Sequence, residues 1–63
     1  MKLTNLIEVL PWGVSICVYS YTDGEVVCNE VVIQAKSKLV NYMWNEVYAV
    51  EPCLNGVLYI EVE

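Results

Sequence analysis

The chain's acid–base and thiol chemistry lies in eight carboxylates, three lysines and three cysteines, and it contains no histidine. Without imidazole there is no Ser-His-Asp or Cys-His pair and no imidazole metal ligand. Glu25 with Glu30, or Glu51 with Glu61, could in principle divide acid and base roles. That work needs one carboxyl desolvated in a cleft, and a chain this short offers little cleft. Solvated surface carboxylates are the simpler reading. Cys17, Cys28 and Cys53 are odd in number and lack C-x-x-C spacing, so neither a disulfide framework nor a zinc site is indicated. Lys36 and Lys38 belong to a different element from all three thiols, which leaves no cation to activate a cysteine nucleophile. Gly13, Gly24 and Gly56 are isolated and make no phosphate-cradling loop. Asp23-Gly24-Glu25 lacks the further ligands of a calcium loop. No catalytic, cofactor or metal residue is assigned. The expectation is a protein that is not an enzyme.

Charge narrows the partners. The net charge is -5 and the cations are Lys2, Lys36 and Lys38, with no arginine. Arginine forks dominate phosphate recognition, so direct nucleic-acid binding is disfavoured. Glu8 falls where a secretory signal would carry its apolar run. The uncharged stretch Val9 to Thr22 contains Pro11 and Gly13 and is shorter than the roughly 18 residues of a membrane span. A cytoplasmic chain, neither exported nor membrane-inserted, is expected, with its thiols reduced.

A single domain over residues 1–63 must position these groups. A chain this small hides only about 60% of its unfolded surface. Yet 57% of its residues are hydrophobic. The surplus points to an intermolecular interface. Leu3, Leu6, Ile7 and Leu10 fall at helical spacing, with Thr4 as cap and Pro11 as stop, predicting a helix over 4–10. Val14 to Tyr21 alternates as a strand, Asp23-Gly24 predicts a two-residue hairpin turn, and Glu25 to Ile33 returns. Ser37 is the expected cap of a second helix running from Lys38 to about Trp44. Val47 to Glu51 and Val57 to Val62 form a second hairpin about Pro52, Asn55 and Gly56. The fold class is α+β in the order α-β-β-α-β-β. Its economical packing is a four-stranded antiparallel sheet with both helices on one face.

In that register the inner face carries Val14, Ile16, Val18, Val27, Val31 and Ile33, with Asn29 as a polar intruder. Alternation then sends Ser15, Glu30, Val32 and Glu61 to the opposite face, together with the nine residues Cys17, Tyr19, Tyr21, Val26, Cys28, Tyr48, Val50, Val57 and Tyr59. Four of the five tyrosines stand on that side. Tyrosine joins a large apolar body to a hydroxyl and is enriched at interfaces. These nine residues are the candidate interface. Trp12 and Trp44 are expected to seal core edges or, if adjacent, to line a small pocket.

The opening Met1-Lys2-Leu3-Thr4-Asn5-Leu6-Ile7-Glu8-Val9-Leu10-Pro11, the strand Val14 to Tyr19, the Asp23-Gly24-Glu25-Val26 turn, Glu46-Val47-Tyr48-Ala49-Val50-Glu51-Pro52 and the ending Gly56-Val57-Leu58-Tyr59-Ile60-Glu61-Val62 form a pattern. It resembles a broad group of very small phage and prophage proteins over nearly the whole chain. The resemblance implies a fold more than an activity, and by analogy an anti-defence role on a host protein. Val31-Val32-Ile33 and Met43-Trp44 depart from that group in being more apolar. Two readings follow. One is an acidic interaction protein, a homodimer or higher homo-oligomer through its tyrosine face, that inhibits a host protein. The other is an oligomeric sponge for a small signalling nucleotide, with Trp12, Trp44 and the tyrosines stacking a base and Lys36 or Lys38 meeting phosphate.

Overall fold

Short amphipathic helices of this kind have almost no stability alone and must dock on a sheet. In the computed structural model, which describes all 63 residues, helix α1 spans Leu3–Val9 and α2 spans Val32–Lys38, followed by a 3-10 turn at Val40–Tyr42. The strands are β1 Ser15–Ser20, β2 Glu25–Val31, β3 Val47–Pro52 and β4 Val57–Val62. The order α-β-β-α-β-β is the expected one, and the fold is α+β.

The sheet order is β2-β1-β4-β3, with both hairpins antiparallel and the central β1–β4 pair parallel. The sheet is therefore mixed, not wholly antiparallel. Both central strands place alternate apolar side chains under the helices: Ile16 and Val18 from β1, Ile60 and Val62 from β4, all fully buried. Leu3 and Ile7 of α1 close that layer from above, as do Val32 and Ala35 of α2 and Leu39 just beyond it.

The first hairpin is registered differently from the expectation. Ser20, itself fully buried, organises the turn. Its carbonyl accepts the Gly24 N–H at 2.8 Å and its Oγ accepts the Asp23 N–H at 3.1 Å. Gly24 closes the turn at φ 71°, a left-handed conformation that favours glycine. Ser20 pairs with Glu25, so the loop takes four residues, Tyr21 to Gly24, instead of two. The pairing then shifts between Val18 and Tyr19, with Val27 as the extra residue. This bulge lets Val27 and Cys28 both pack toward the core. Asn29 moves to the exposed side opposite Cys17, and Val31 joins it opposite Ser15. A one-residue slip exchanges faces. That is why the polar intruder disappears from the core.

The second helix also begins earlier than predicted. Val32 and Ile33 are helical, and Ser37 is not a cap but lies inside α2, its Oγ donating to the Gln34 carbonyl at 3.3 Å. Val32, Ala35 and Leu39 form the buried stripe, leaving Ile33 exposed. Thr4 likewise lies inside α1, whose N-cap is Lys2. Pro52 ends β3, a position an edge strand tolerates.

Neither helix has a side-chain cap. Their first N–H groups are met by backbone from another segment. Leu3 and Thr4 donate to the carbonyls of Asn45 and Met43, at 3.0 and 2.8 Å. Val32 and Ile33 donate to those of Val14 and Trp12, at 2.9 and 3.2 Å. Each helix thus starts on the segment leading into a strand, α1 on the approach to β3 and α2 on the approach to β1. Lys2 forms an antiparallel bridge with Glu46, as Val31 pairs with Ser15. The two arrangements correspond as a two-fold axis through β4, normal to the sheet, would relate them. What recurs is a helix with the strand approach that caps it.

Candidate functional site: the tyrosine face

With both helices on one side, the other side of the sheet has no covering layer. In the parallel register β1 contributes Ser15, Cys17 and Tyr19, lying beside Val57, Tyr59 and Glu61 of β4. From β3, Ala49 lies opposite Glu61 and Glu51 opposite Tyr59. Val26 of β2 lies opposite Tyr19. Tyr21 begins the hairpin loop and is held to β4 by its N–H, which donates to the Val62 carbonyl at 2.9 Å. Tyr48 occupies the irregularity between Val47 and Ala49 in β3.

The rings form a connected set. Tyr19 and Tyr21 meet edge to face at 5.3 Å between centroids, and Tyr21 and Tyr48 are tilted at 5.6 Å. Both geometries are favourable for aromatic quadrupoles. Glu61 ties the set to β4. Its Oε1 accepts the Tyr21 hydroxyl at 2.9 Å and its Oε2 accepts the Tyr59 hydroxyl at 3.2 Å. Tyr21 and Tyr48 nonetheless remain more than half exposed, at 53% and 56%.

This carboxylate perturbs the phenols. The Tyr21 phenol is raised above its ordinary value, first by its hydrogen bond to Glu61 and then by that residue's negative charge. Tyr59 is raised first by desolvation and next by its bond to Glu61. Burial raises the Cys17 thiol, with a smaller contribution from Cys53. All three shifts favour the protonated, neutral form.

Seven of the nine candidate residues stand on this side: Cys17, Tyr19, Tyr21, Val26, Tyr48, Val57 and Tyr59. Two do not. Cys28 pairs with Val18 and is buried in the core, because the four-residue turn and the bulge slip β2 by one. Val50 pairs with Ile60 on the helix side at the sheet's edge, because the β3 irregularity at Tyr48 shifts its phase. Glu61, weighed from the sequence as half of a carboxylate pair with Glu51 and left out of the nine interface residues, is the group that ties this face together. Its signal was Tyr59-Ile60-Glu61, which places a carboxylate two residues from a tyrosine on the same strand face.

The residues outside this face do not assemble into a second site. Trp12 and Trp44 are both exposed, at 65% and 75%, and neither seals a core edge. Trp44 lies between the two residues that cap the start of α1, and Trp12 follows its other end. A seven-residue helix, about 10 Å long, separates them. Lys36 and Lys38 lie in the last turn of α2, on the helix side. Lys38 binds Glu30 at 2.9 Å, and Lys2 binds Glu46 at 2.9 Å. No three acidic or thiol groups converge as metal ligands would, and the chain holds no pocket. No helix is long and apolar enough to cross a membrane.

No protein-family model, curated protein or solved structure matches the chain.

Proposed function

We propose that this chain is a non-catalytic interaction protein whose contact surface is the bare face of the sheet. One observation carries the reading: Tyr19, Tyr21 and Tyr48 in edge-to-face and tilted ring contact, with Tyr21 and Tyr59 sharing the Glu61 carboxylate, form a fixed, half-exposed aromatic platform. Tyrosine presents large contact area at low conformational cost, and its hydroxyl adds directional bonding. A solitary antiparallel hairpin face in water is ordinarily polar. The host protein as target, and an inhibitory effect on it, enter through the resemblance to small phage proteins.

The test is selection of peptides from a displayed library on the wild-type chain, with counter-selection on a Tyr19→Glu plus Tyr59→Glu variant. Enriched sequences that lose binding to the double variant support the reading. Enrichment that ignores the double substitution, or no enrichment, removes it.

Self-association is a second reading, favoured by the apolar side chains left exposed beyond this face: Trp12, Ile33, Val40 and Trp44. Light scattering decides it, and a monomer at all concentrations ends it. The nucleotide sponge gains nothing from the geometry, since Lys36 and Lys38 lie on the side of the sheet away from the tyrosines.

A further inference from the structure

The charges on the tyrosine face are all of one sign. Glu61 and Glu51 stand there, on β4 and β3. The chain's cations are engaged or placed elsewhere: Lys2 with Glu46, Lys38 with Glu30, and Lys36 on α2. Glu61 therefore meets two hydroxyl donors and no basic side chain.

A carboxylate offers about four lone-pair sites over its two oxygens. Each Glu61 oxygen accepts one tyrosine hydroxyl, so each retains acceptor capacity. Two adjacent free lone pairs on separate oxygens are what a guanidinium takes with its parallel N–H donors. Tyr21 and Tyr48 supply exposed ring faces beside that carboxylate, and a planar cation over such a ring gains further attraction. Ala49, the neighbour of Glu61 on β3, is small and keeps that approach low.

We infer that the tyrosine face binds a protein segment presenting an arginine, whose guanidinium pairs with Glu61 beside the exposed rings of Tyr21 and Tyr48. This rests on the proposed interaction role and names the partner's chemistry. A second copy fits the same face poorly. Face-to-face pairing would set Glu51 and Glu61 against the same two carboxylates, and it brings no cation. Juxtaposed like charges at an interface are costly.

The experiment uses the full chain, isotopically labelled, titrated by NMR with the peptide acetyl-Leu-Gly-Arg-Gly-Leu-amide. A matched peptide with citrulline, which keeps the shape of arginine without its charge, is the control. The expected result is amide shifts centred on Tyr21, Tyr48, Tyr59 and Glu61, with affinity at least about tenfold weaker for citrulline. Glu61→Gln should lose the same factor while keeping a folded spectrum, and Glu46→Gln should lose none. Equal affinity for both peptides, shifts centred on Glu46 or Glu30, or no shifts would overturn the inference. If library peptides still depend on Tyr19 and Tyr59 but carry no arginine, the inference falls and the interaction role stands.

Discussion

The Tyr21 hydroxyl donates to Glu61 Oε1 at 2.9 Å across forty residues of sequence. The bond couples the first hairpin's loop to the last strand, and it carries a titration signature. A neutral phenol donates to the carboxylate, whereas a phenolate would repel it, so the folded Tyr21 holds its proton to higher pH. Tyr59 is shifted the same way, by desolvation and by Glu61, and Tyr42 by its hydrogen bond to Asp23. Glu61→Gln should return Tyr21 toward the ordinary tyrosine value of about 10. Ultraviolet titration of wild type and variant reads this directly, and an unchanged phenol curve would refute the coupling.

The same shifts set an alkaline limit. A group with a raised folded pKa binds more protons in the native than in the unfolded chain, so stability falls as pH rises through the interval between the two values. For Tyr21, Tyr42 and Tyr59 the loss begins near pH 10. Lys38, raised by its bond to Glu30, follows in the same direction. At the acid end Glu46 is lowered, first by its bond to Lys2 and next by that to the N-terminus. Its contribution is present at neutral pH and is lost as pH falls from about 4.5 downward. These groups are exposed and screened, so each effect is small. The Cys17 and Cys28 thiols, raised by burial, begin the alkaline loss earlier, near pH 9, so urea midpoints measured from pH 3 to 11 should be flat between pH 6 and 8 and decline at both ends.

How far the sequence discloses this arrangement differs by element. Alternation in Val14 to Ser20 and in Val57 to Val62 was enough to place Ile16, Val18, Ile60 and Val62 inside and Tyr19 and Tyr59 outside. The first hairpin was harder, because Asp23-Gly24 is a strong local turn signal while the deciding group is Ser20, buried three residues before it. Val31-Val32-Ile33 has strand propensity, but Val32, Ala35 and Leu39 gain more by packing as a helical stripe. Propensity yields to burial there. The parallel β1–β4 pairing has no local signal at all, since it joins the outer edges of two independently plausible hairpins.

Ile60 and Val50 lie opposite one another on β4 and β3, yet they differ in burial: 0% for Ile60 and 42% for Val50. Ile60→Ala leaves a cavity under both helices and should cost about 2–5 kcal/mol. Chains this small seldom hold more than roughly 3–5 kcal/mol, so that variant should be largely unfolded. Val50→Ala removes half-exposed surface and should cost under about 1 kcal/mol. Chemical denaturation followed by circular dichroism compares the two. Similar losses would show that the core is not centred on the β1–β4 pair.

Gly24 and Gly13 both have open space where a Cβ would sit, and only Gly24 has a positive φ. Gly24→Ala should therefore cost about 1–2 kcal/mol through backbone strain alone. Gly24→Asn should cost less, because asparagine visits that region more readily. Gly13→Ala meets no neighbour and should stabilise by about 0.4–1 kcal/mol, chiefly by restricting the unfolded chain. Thermal melts of the three variants test the order Gly13→Ala, Gly24→Asn, Gly24→Ala from highest to lowest.

The three thiols occupy three environments: Cys53 is exposed, Cys17 is half-buried on the tyrosine face, and Cys28 lies in the core. Thiolate is the reacting species, so access and pKa act together. Burial raises the pKa at Cys17, with Cys53 adding a little, and burial also raises it at Cys28. Timed alkylation at pH 8 should label Cys53 first and Cys17 more slowly. Cys28 should react only as fast as the chain opens, and adding urea should accelerate it far more than the other two. Mass spectrometry after cleavage at glutamate, which separates the three thiols onto different fragments, assigns each site. Early labelling of Cys28 would mean that β2 keeps the simple two-residue-turn register, with Val27 facing the core and Cys28 on the open face. Labelling of Cys17 has a further use, because an arginine peptide seated beside Tyr59 should protect its cross-strand neighbour.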